Sequence, residues 1–202
     1  MQRRLALPIC VAMFFGSAAI AEELDVVTEN CNSCHGDNGV SQWSDVPTIA
    51  GIDAFVHAEA LYTYRDEARP CAESKYRQGD TDRPPTRMCD IASELSDDAI
   101  EALAEHYAAL PFRAARQDFD AALAAVGKEI HDRDCARCHS DGGSNPDDEA
   151  GILAGQWMDY LRLAFAEYAS GDREQLEKMQ EKMAPLSAAD VEALLHYYAS
   201  QQ

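Results

Sequence analysis

The sequence has few basic side chains and, beyond its first twenty residues, no long apolar run. Lysine and arginine number 17 against 36 aspartate and glutamate residues, a formal charge of −19. This charge argues against nucleic acid and anionic membranes as partners, because their phosphate groups would repel the chain. No later run is long and apolar enough to span a bilayer. A G-x-G-x-x-G turn and strand-helix alternation are also absent, which argues against a dinucleotide-binding domain.

The first 21 residues have the pattern of a secretory signal peptide. A basic start precedes an apolar run from Leu5 to Ile20, and small residues lead to Ala21 before two glutamates. The run is too short for a membrane span, which favours cleavage after Ala21 over a retained N-terminal anchor. Cleavage removes Cys10 and two basic side chains, and leaves six cysteines and a charge of −21. We therefore expect a periplasmic protein whose acidic surface either steers it to a basic partner or suits a saline habitat.

The rest of the chain repeats itself. CNSCHG at 31–36 recurs as CARCHS at 135–140, and TIAG at 48–51 recurs as ILAG at 152–155, both 104 residues later. A helical pattern that begins at Arg87 recurs from Lys178, only 91 residues later, so the first half carries an insertion of 13 residues. Helical periodicity also covers 54–68, 117–133 and 156–170, and no stretch alternates like a strand. The sequence predicts an all-α fold with two similar domains, at 22–112 and 113–202.

Each half contains one C-x-x-C-H motif, which in an exported chain indicates covalently attached haem c. Two thiols three residues apart can add to the two haem vinyl groups, and the imidazole of the next residue then faces the iron. The alternative is two disulfides or zinc pairs, each followed by a chance histidine, but the histidine, glycine and helix signals all recur together. The predicted haem-attaching residues and proximal ligands are Cys31, Cys34 and His35 for the first haem and Cys135, Cys138 and His139 for the second.

Each iron then needs a sixth ligand or an open site. Met88 and Met179 are equivalent in the repeat, and each stands seven residues before the Leu-Ser that opens the last helix of its half. We predict both as axial ligands, because methionine opposite histidine suits electron transfer. Met183 is the alternative to Met179, but its counterpart is Ala92, which favours a packing role. Four further histidines have no equivalent in the other half and are predicted to have surface or core roles: 57, 106, 131 and 196.

Cys71 and Cys89 remain once four cysteines bind haem. An oxidising compartment favours their union, and the second half lacks both the insertion and these two cysteines. We therefore predict a disulfide that pins the inserted loop. A free Cys89 beside Met88 would instead favour a dihaem sulfur oxidase or peroxidase, with a thiolate or an empty site at one iron.

Across essentially the whole mature chain, these motifs resemble tandem dihaem class I cytochromes c. The stretches FDAALAAVGKEIHDRDCARCHSDGG, ILAGQWMDYL and YYASQQ resemble the cytochrome subunit of flavocytochrome c sulfide dehydrogenase. The resemblance implies two cytochrome c-like domains, an FAD-containing flavoprotein subunit as electron donor, and a small cytochrome or oxidase as acceptor. It also implies that a loop carbonyl orients each axial histidine. Pro47 matches that position in the first half, and Gly151 is its counterpart in the second.

The leading interpretation is an electron-transfer subunit of an oxidoreductase complex, with no catalytic site of its own. The alternatives are a free-standing dihaem shuttle to a terminal oxidase and, less favoured, the sulfur-oxidising enzyme described above. A permanent partner requires an apolar face, for which the segment 155–168 offers Trp157, Tyr160, Leu161 and Phe165. The helical spacing of these residues favours a core role for most of them.

Overall fold

The computed structural model of the chain describes the backbone of residues 17–202 and the side chains from residue 24 onward. The predicted signal peptide, 1–21, falls outside the residues whose side chains are described. In the described part, the α-helices are α1 (Ser17–His35), α2 (Ala54–Arg65), α3 (Met88–Ser93), α4 (Asp97–Ala108), α5 (Ala121–Ile130), α6 (Met158–Ser170), α7 (Glu177–Met183) and α8 (Ala188–Ala199). None of these helices is long and apolar enough to cross a membrane.

Two short strands interrupt this helical fold, both within the insertion of the first half. β1 (Glu73–Ser74) and β2 (Thr86–Arg87) pair antiparallel and close the base of the inserted loop. The sequence did not predict them, because strands of two residues are too short to show alternation of polar and apolar side chains.

Side-chain caps explain where several helices begin. Ser96 accepts a hydrogen bond from the Ala99 backbone N–H at 3.2 Å, and Ser187 forms a reciprocal capping box with Asp190. These contacts satisfy N–H groups that have no partner within the helix, so both serines cap the helices that the sequence predicted to begin at the two Leu-Ser pairs. The acidic side chain of Asp53 caps α2 in the same way.

The two halves have cores of unequal size. In the second half, α5 packs along α8, and Ile130, Leu161 and Tyr198 are almost fully buried there. The first half has a smaller cluster, in which Ala58 of α2 packs against Ile100 of α4. Leu161 therefore has the core role that its helical spacing predicted. Small cores of this kind need an additional stabilising group, because short domains bury little apolar surface.

The repeat is visible in the hydrogen bonds that hold one turn in each half. The Gly39 carbonyl accepts the N–H groups of Ile49 and Ala50, and the Gly143 carbonyl accepts the equivalent bonds 104 residues further on. Each turn is also tied to the last helix of its half by equivalent 2.8 Å bonds, Gly51 N–H to Tyr107 O and Gly155 N–H to Tyr198 O. Both halves thus present the turn after the C-x-x-C-H motif in the same way.

The two halves meet where the start of α6 packs on the loop 41–48 of the first half. The Trp157 indole N–H donates to the Ser41 carbonyl at 3.1 Å, and the Tyr160 backbone N–H donates to the Ser44 carbonyl at 3.0 Å. The Ser44 hydroxyl also donates to Asp159 at 2.7 Å. This junction lies next to the first C-x-x-C-H motif, because the same loop contacts His35.

Candidate functional site

The first C-x-x-C-H motif occupies the last turn of α1. Cys31 and Cys34 are half-buried, whereas the His35 side chain is buried. The helix ends at Gly36, whose φ of 82° is in the left-handed region and whose Cβ, if present, would lie 2.1 Å from the Val40 carbonyl oxygen. Glycine is therefore required for the chain to turn away directly after the histidine.

The His35 ring is oriented by the loop that follows it. Its Nδ1 lies 3.0 Å from the carbonyl oxygen of Pro47. A carbonyl only accepts hydrogen bonds, so Nδ1 carries the proton and the lone pair of Nε2 is left for a metal ion. Burial lowers the pKa of His35 and the bond to Pro47 opposes that shift, so the ring is held neutral. This is the arrangement of a metal-ligating imidazole with an oriented second nitrogen.

The second motif follows a one-turn π-helix, His131–Cys135, that continues α5. Cys138 is exposed, and His139 is half-buried with its backbone N–H bonded to the Cys135 carbonyl at 3.0 Å. Burial lowers the pKa of His139, and the nearby Gly151 backbone opposes that shift. Gly151 therefore lies near His139, but the described residues show no counterpart of the 3.0 Å contact between His35 and Pro47.

One tyrosine in each half lies against the first cysteine of the motif, and sequence reasoning missed this role. Tyr107 interacts with Cys31 and donates to Asn32 Oδ1 at 3.0 Å, while Tyr198 interacts with Cys135. Burial raises the pKa of both tyrosines well above the usual value, so both remain neutral hydrogen-bonding groups. The equivalence of Tyr107 and Tyr198 in the 91-residue repeat was a signal that could have identified them.

The predicted methionine ligands stand at the starts of two short helices. Met88 is the first residue of α3, and Met179 lies in the first turn of α7. Met183 is the last residue of α7, one turn further from Met179. All three side chains are half-buried. Assignment of Met88 and Met179 to iron stays a prediction.

The structure pairs Cys71 with Cys89 as a disulfide, with their Cα atoms 5.8 Å apart. The loop between them lies across the first motif. The backbone N–H groups of Arg77 and Gln78 both donate to the carbonyl of Ser33, at 2.8 and 3.1 Å. Since Ser33 lies between the two cysteines of the motif, the insertion covers one side of the first site. The second half has no corresponding segment.

The donor set of both sites fits haem c better than a thiolate-bound ion. Burial raises the pKa of the Cys31 thiol to about 11 and also raises the pKa of Cys34 and Cys135. Structural zinc sites have four protein ligands, whereas each motif offers two thiols and one histidine. Among the described residues, no group of three or more His, Cys, Asp or Glu side chains could hold a metal ion. Two thiols and an oriented imidazole in one motif are the groups that covalent haem attachment uses.

A partly buried arginine near the first motif is a further feature that fits haem. The Nη2 atom of Arg77 donates to Asp45, but its Nε atom is buried without a hydrogen-bond partner among the described residues, and Arg77 is close enough to Cys34 to lower the pKa of that thiol. Haem carries two carboxylates, which pair well with arginine. Arg77 is therefore a candidate partner for a haem carboxylate at the first site.

Three of the other four histidines make hydrogen bonds within the protein. His57 is buried with Nε2 2.6 Å from the Ile49 carbonyl, and His196 accepts the Asp120 backbone N–H at 3.0 Å. His131 is fully buried with Nδ1 3.1 Å from the Tyr198 hydroxyl, while its Nε2 has no partner among the described residues. These contacts agree with core roles for His57 and His131.

Comparison with known proteins finds a family likeness in the second half. Residues 124–202 match the sequence profile of the family Cytochrome c. Over its whole length the chain is 25% identical to a protein from Thiomonas intermedia (strain K12) named "Thiosulfate dehydrogenase electron acceptor", of which it covers 92%.

Solved structures extend the likeness to the fold of both halves. Reduced cytochrome c4 from Pseudomonas stutzeri superposes with a TM-score of 0.71 at 24% identity, covering 90% of this chain and 98% of that one. Cytochrome c4 from Acidithiobacillus ferrooxidans gives 0.68 at 23% identity, with 85% and 99% covered. Thiosulfate dehydrogenase from Marichromatium purpuratum gives 0.65 at 24% identity, with 85% and 36% covered. The chain therefore has the mostly helical, two-domain fold of cytochrome c4, consistent with the two helical domains that the sequence predicted.

Proposed function

We propose that this chain is a periplasmic dihaem c-type cytochrome that carries single electrons from a dehydrogenase of inorganic sulfur compounds to a downstream acceptor. The observation that carries the proposal is the duplicated site. Each half has two thiols and a histidine in one C-x-x-C-H motif; the Pro47 carbonyl accepts a hydrogen bond from His35, and the Gly151 backbone lies near His139. Two such sites in one chain provide two one-electron centres.

The arrangement supports a carrier rather than an enzyme. Methionine ligands at both irons would leave no open coordination position for a substrate. Cys89, the residue that favoured a sulfur-oxidising enzyme, is paired with Cys71 and so is not available as a thiolate ligand. The remaining cysteines in the described part of the chain all belong to the two motifs.

The identity of the electron donor is the most specific part of the proposal. The full-length relative from Thiomonas intermedia is named as the electron acceptor of a thiosulfate dehydrogenase, which favours that donor. The sequence resemblance to the cytochrome subunit of flavocytochrome c sulfide dehydrogenase favours an FAD-containing flavoprotein instead. Both donors oxidise inorganic sulfur compounds, and the thiosulfate enzyme is preferred because its acceptor matches this chain from end to end.

A reduction assay separates the two donors. The oxidised protein is mixed with a thiosulfate dehydrogenase and thiosulfate, or with a sulfide dehydrogenase flavoprotein and sulfide, and haem reduction is followed by stopped-flow absorbance. Rapid second-order reduction in the first mixture supports thiosulfate dehydrogenase as donor. Rapid reduction only in the second supports the flavoprotein, and the absence of catalysed reduction in both contradicts the proposed donor class.

The acidic surface predicts how these rates depend on salt. With a mature charge of −21, association with a basic docking surface is accelerated by electrostatic attraction, which salt screens. We expect the second-order rate constant to fall steeply between low and physiological ionic strength. A rate that does not depend on salt would favour the interpretation of the acidic surface as an adaptation to a saline habitat.

Methionine ligation can be tested by substitution. Met88→Ala and Met179→Ala should each remove about half of the far-red methionine-to-iron band of the oxidised protein. Met183→Ala is the matched control, since it lies on the same short helix as Met179 and is predicted to pack rather than to bind iron. Loss of the band in Met183→Ala but not in Met179→Ala would transfer the ligand assignment to Met183.

Export is tested by the mass of the purified protein. Cleavage after Ala21 and attachment of two haems should give a periplasmic protein that begins at Glu22. Recovery of the full-length N-terminus would support a retained anchor instead.

A further inference from the structure

The loop that orients the first histidine is held by a side chain from the other half of the protein. Gln156 is 1% exposed and lies just before α6. Its Oε1 accepts the Thr48 backbone N–H at 3.1 Å, and its Nε2 donates to the Thr48 carbonyl at 2.6 Å. Thr48 directly follows Pro47, whose carbonyl accepts the hydrogen bond from His35. The Gln156 amide thus binds the backbone N–H and C=O of Thr48, the neighbour of the proline whose carbonyl orients His35.

These two bonds matter because Thr48 is sealed from water. Thr48 is 0% exposed, and its hydroxyl oxygen accepts the Ser41 backbone N–H at 3.2 Å. Without the Gln156 amide, a buried N–H and a buried C=O would lose their partners, which is more costly than the loss of an exposed bond. The loop would relieve that cost by moving so that water reaches Thr48. Such a movement would displace the adjacent Pro47 carbonyl.

The contact has no equivalent in the opposite direction. Under the 104-residue repeat, Ile52 stands in the place of Gln156, so no side-chain amide is available there to bind the backbone of Ile152, the counterpart of Thr48. The starts of the two equivalent helices, α2 and α6, also differ in whether the other half contributes to them. Asp53 caps α2 with its own side chain, whereas Trp157 makes no side-chain cap and the first turn of α6 donates to Ser44 of the other half. The second half therefore supports the first histidine loop without reciprocal support.

We infer that Gln156 is a positioning residue for the first haem: by fixing Thr48 it sets the hydrogen bond that His35 donates to the Pro47 carbonyl, so the second half tunes the first haem. The inference rests on the proposed function, because it requires haem at the first motif. Gln156 acts through Pro47 and His35, not on the iron itself. Gln156 should not affect the second haem, because among the described residues no side-chain amide binds the backbone of the Gly151 loop.

The direction of the effect follows from the chemistry of the ligand. A strong bond from Nδ1–H to a carbonyl makes the imidazole a better electron donor, which stabilises oxidised iron. If the loop moves and the bond weakens, the imidazole becomes a poorer donor. The reduction potential of the first haem then rises, while that of the second haem stays at its wild-type value.

The experiment compares the holoprotein with Gln156→Leu and Gln156→Asn. Leucine removes both bonds to Thr48, and asparagine keeps an amide that is too short to reach both groups. The matched control is Ser44→Ala, which removes the exposed bond between the halves from Ser44 to Asp159. Redox titrations followed by NMR of the haem methyl resonances report each haem separately, and Met88→Ala assigns the resonances of the first haem. Haem content per chain is measured on every sample.

Gln156→Leu should raise the potential of the first haem and leave the second unchanged, with a smaller rise in Gln156→Asn and no shift in Ser44→Ala. If Gln156→Leu fails to fold, Gln156→Asn carries the same test. An unshifted first haem, an equal shift of both haems, or an equal shift in Ser44→Ala would overturn the positioning role. A wild-type chain with fewer than two haems would contradict the proposed function instead, so the two failures are distinguishable.

Discussion

Removing the Cys71–Cys89 disulfide should destabilise the first half and loosen the loop that covers the first motif. The bridge closes a loop with a sequence separation of 18 residues. In the chain-entropy model, a loop of that length in the unfolded chain corresponds to a stabilisation of about 3 kcal/mol. The predicted haem attachment points at Cys31 and Cys34 lie outside this loop, so they do not shorten it. The expected loss in Cys71→Ala/Cys89→Ala is therefore most of that free energy.

The assay is chemical denaturation of the holoprotein, followed by far-UV circular dichroism, in three samples. Oxidised wild type should be more stable than the double alanine variant, and wild type treated with reductant should approach the variant. The variant itself should not respond to reductant. A thiol assay on unreduced wild type, denatured to expose every cysteine, should detect no free thiol in the mature holoprotein.

Two results would refute this reasoning. If the oxidised wild type and the double variant unfold at the same denaturant concentration, the bridge does not restrict the unfolded chain as proposed. If the thiol assay finds two free cysteines, the pairing of Cys71 with Cys89 is wrong, and a dihaem enzyme with Cys89 at or near the first iron regains support.

Two further predictions concern stability. Burial lowers the pKa of His57 from 6.5 to about 4, so between these pH values the unfolded chain binds a proton that the folded chain does not. The free energy of unfolding should therefore fall as the pH drops from about 6.5 to 4. His57→Gln keeps a donor for the Ile49 carbonyl and should flatten that slope in acid unfolding curves. A Cβ at Gly127 would lie 2.0 Å from the Ala193 carbonyl oxygen, so Gly127→Ala should separate α5 from α8 and cost about 1–3 kcal/mol or more in thermal unfolding. Gly151→Ala is its control, because nothing lies within 4 Å of a Cβ there, and an equal loss would contradict the packing argument.

Much of the fold could be predicted because its signals are local or repeated. Helical periodicity together with the Ser96 and Ser187 caps placed α4 and α8, since both depend on residues within a turn of each other. The offsets of 104 and 91 residues aligned the halves and located the insertion. The carbonyl of Pro47 was expected beside His35 because the resemblance to a family supplied that contact, and the structure places it 3.0 Å away.

The contacts between the halves could not be predicted in this way. The bonds of Gln156 to Thr48 join residues 108 positions apart and leave no period or motif in the sequence. The interactions of Tyr107 and Tyr198 with the motif cysteines also depend on how helices pack, which the repeat alone does not give. Long-range polar contacts of this kind are set by the tertiary fold, so they become visible only in three dimensions.

If both motifs bind haem with methionine opposite histidine, the chain has two one-electron centres whose irons are closed to external ligands. Coulometric titration of the purified protein, with cyanide or carbon monoxide added at each redox end point, tests this arrangement. We expect two electrons and two covalent haems per chain, with spectra that do not change when these ligands are added. Uptake of one electron, or rapid ligand binding at either iron, would contradict it.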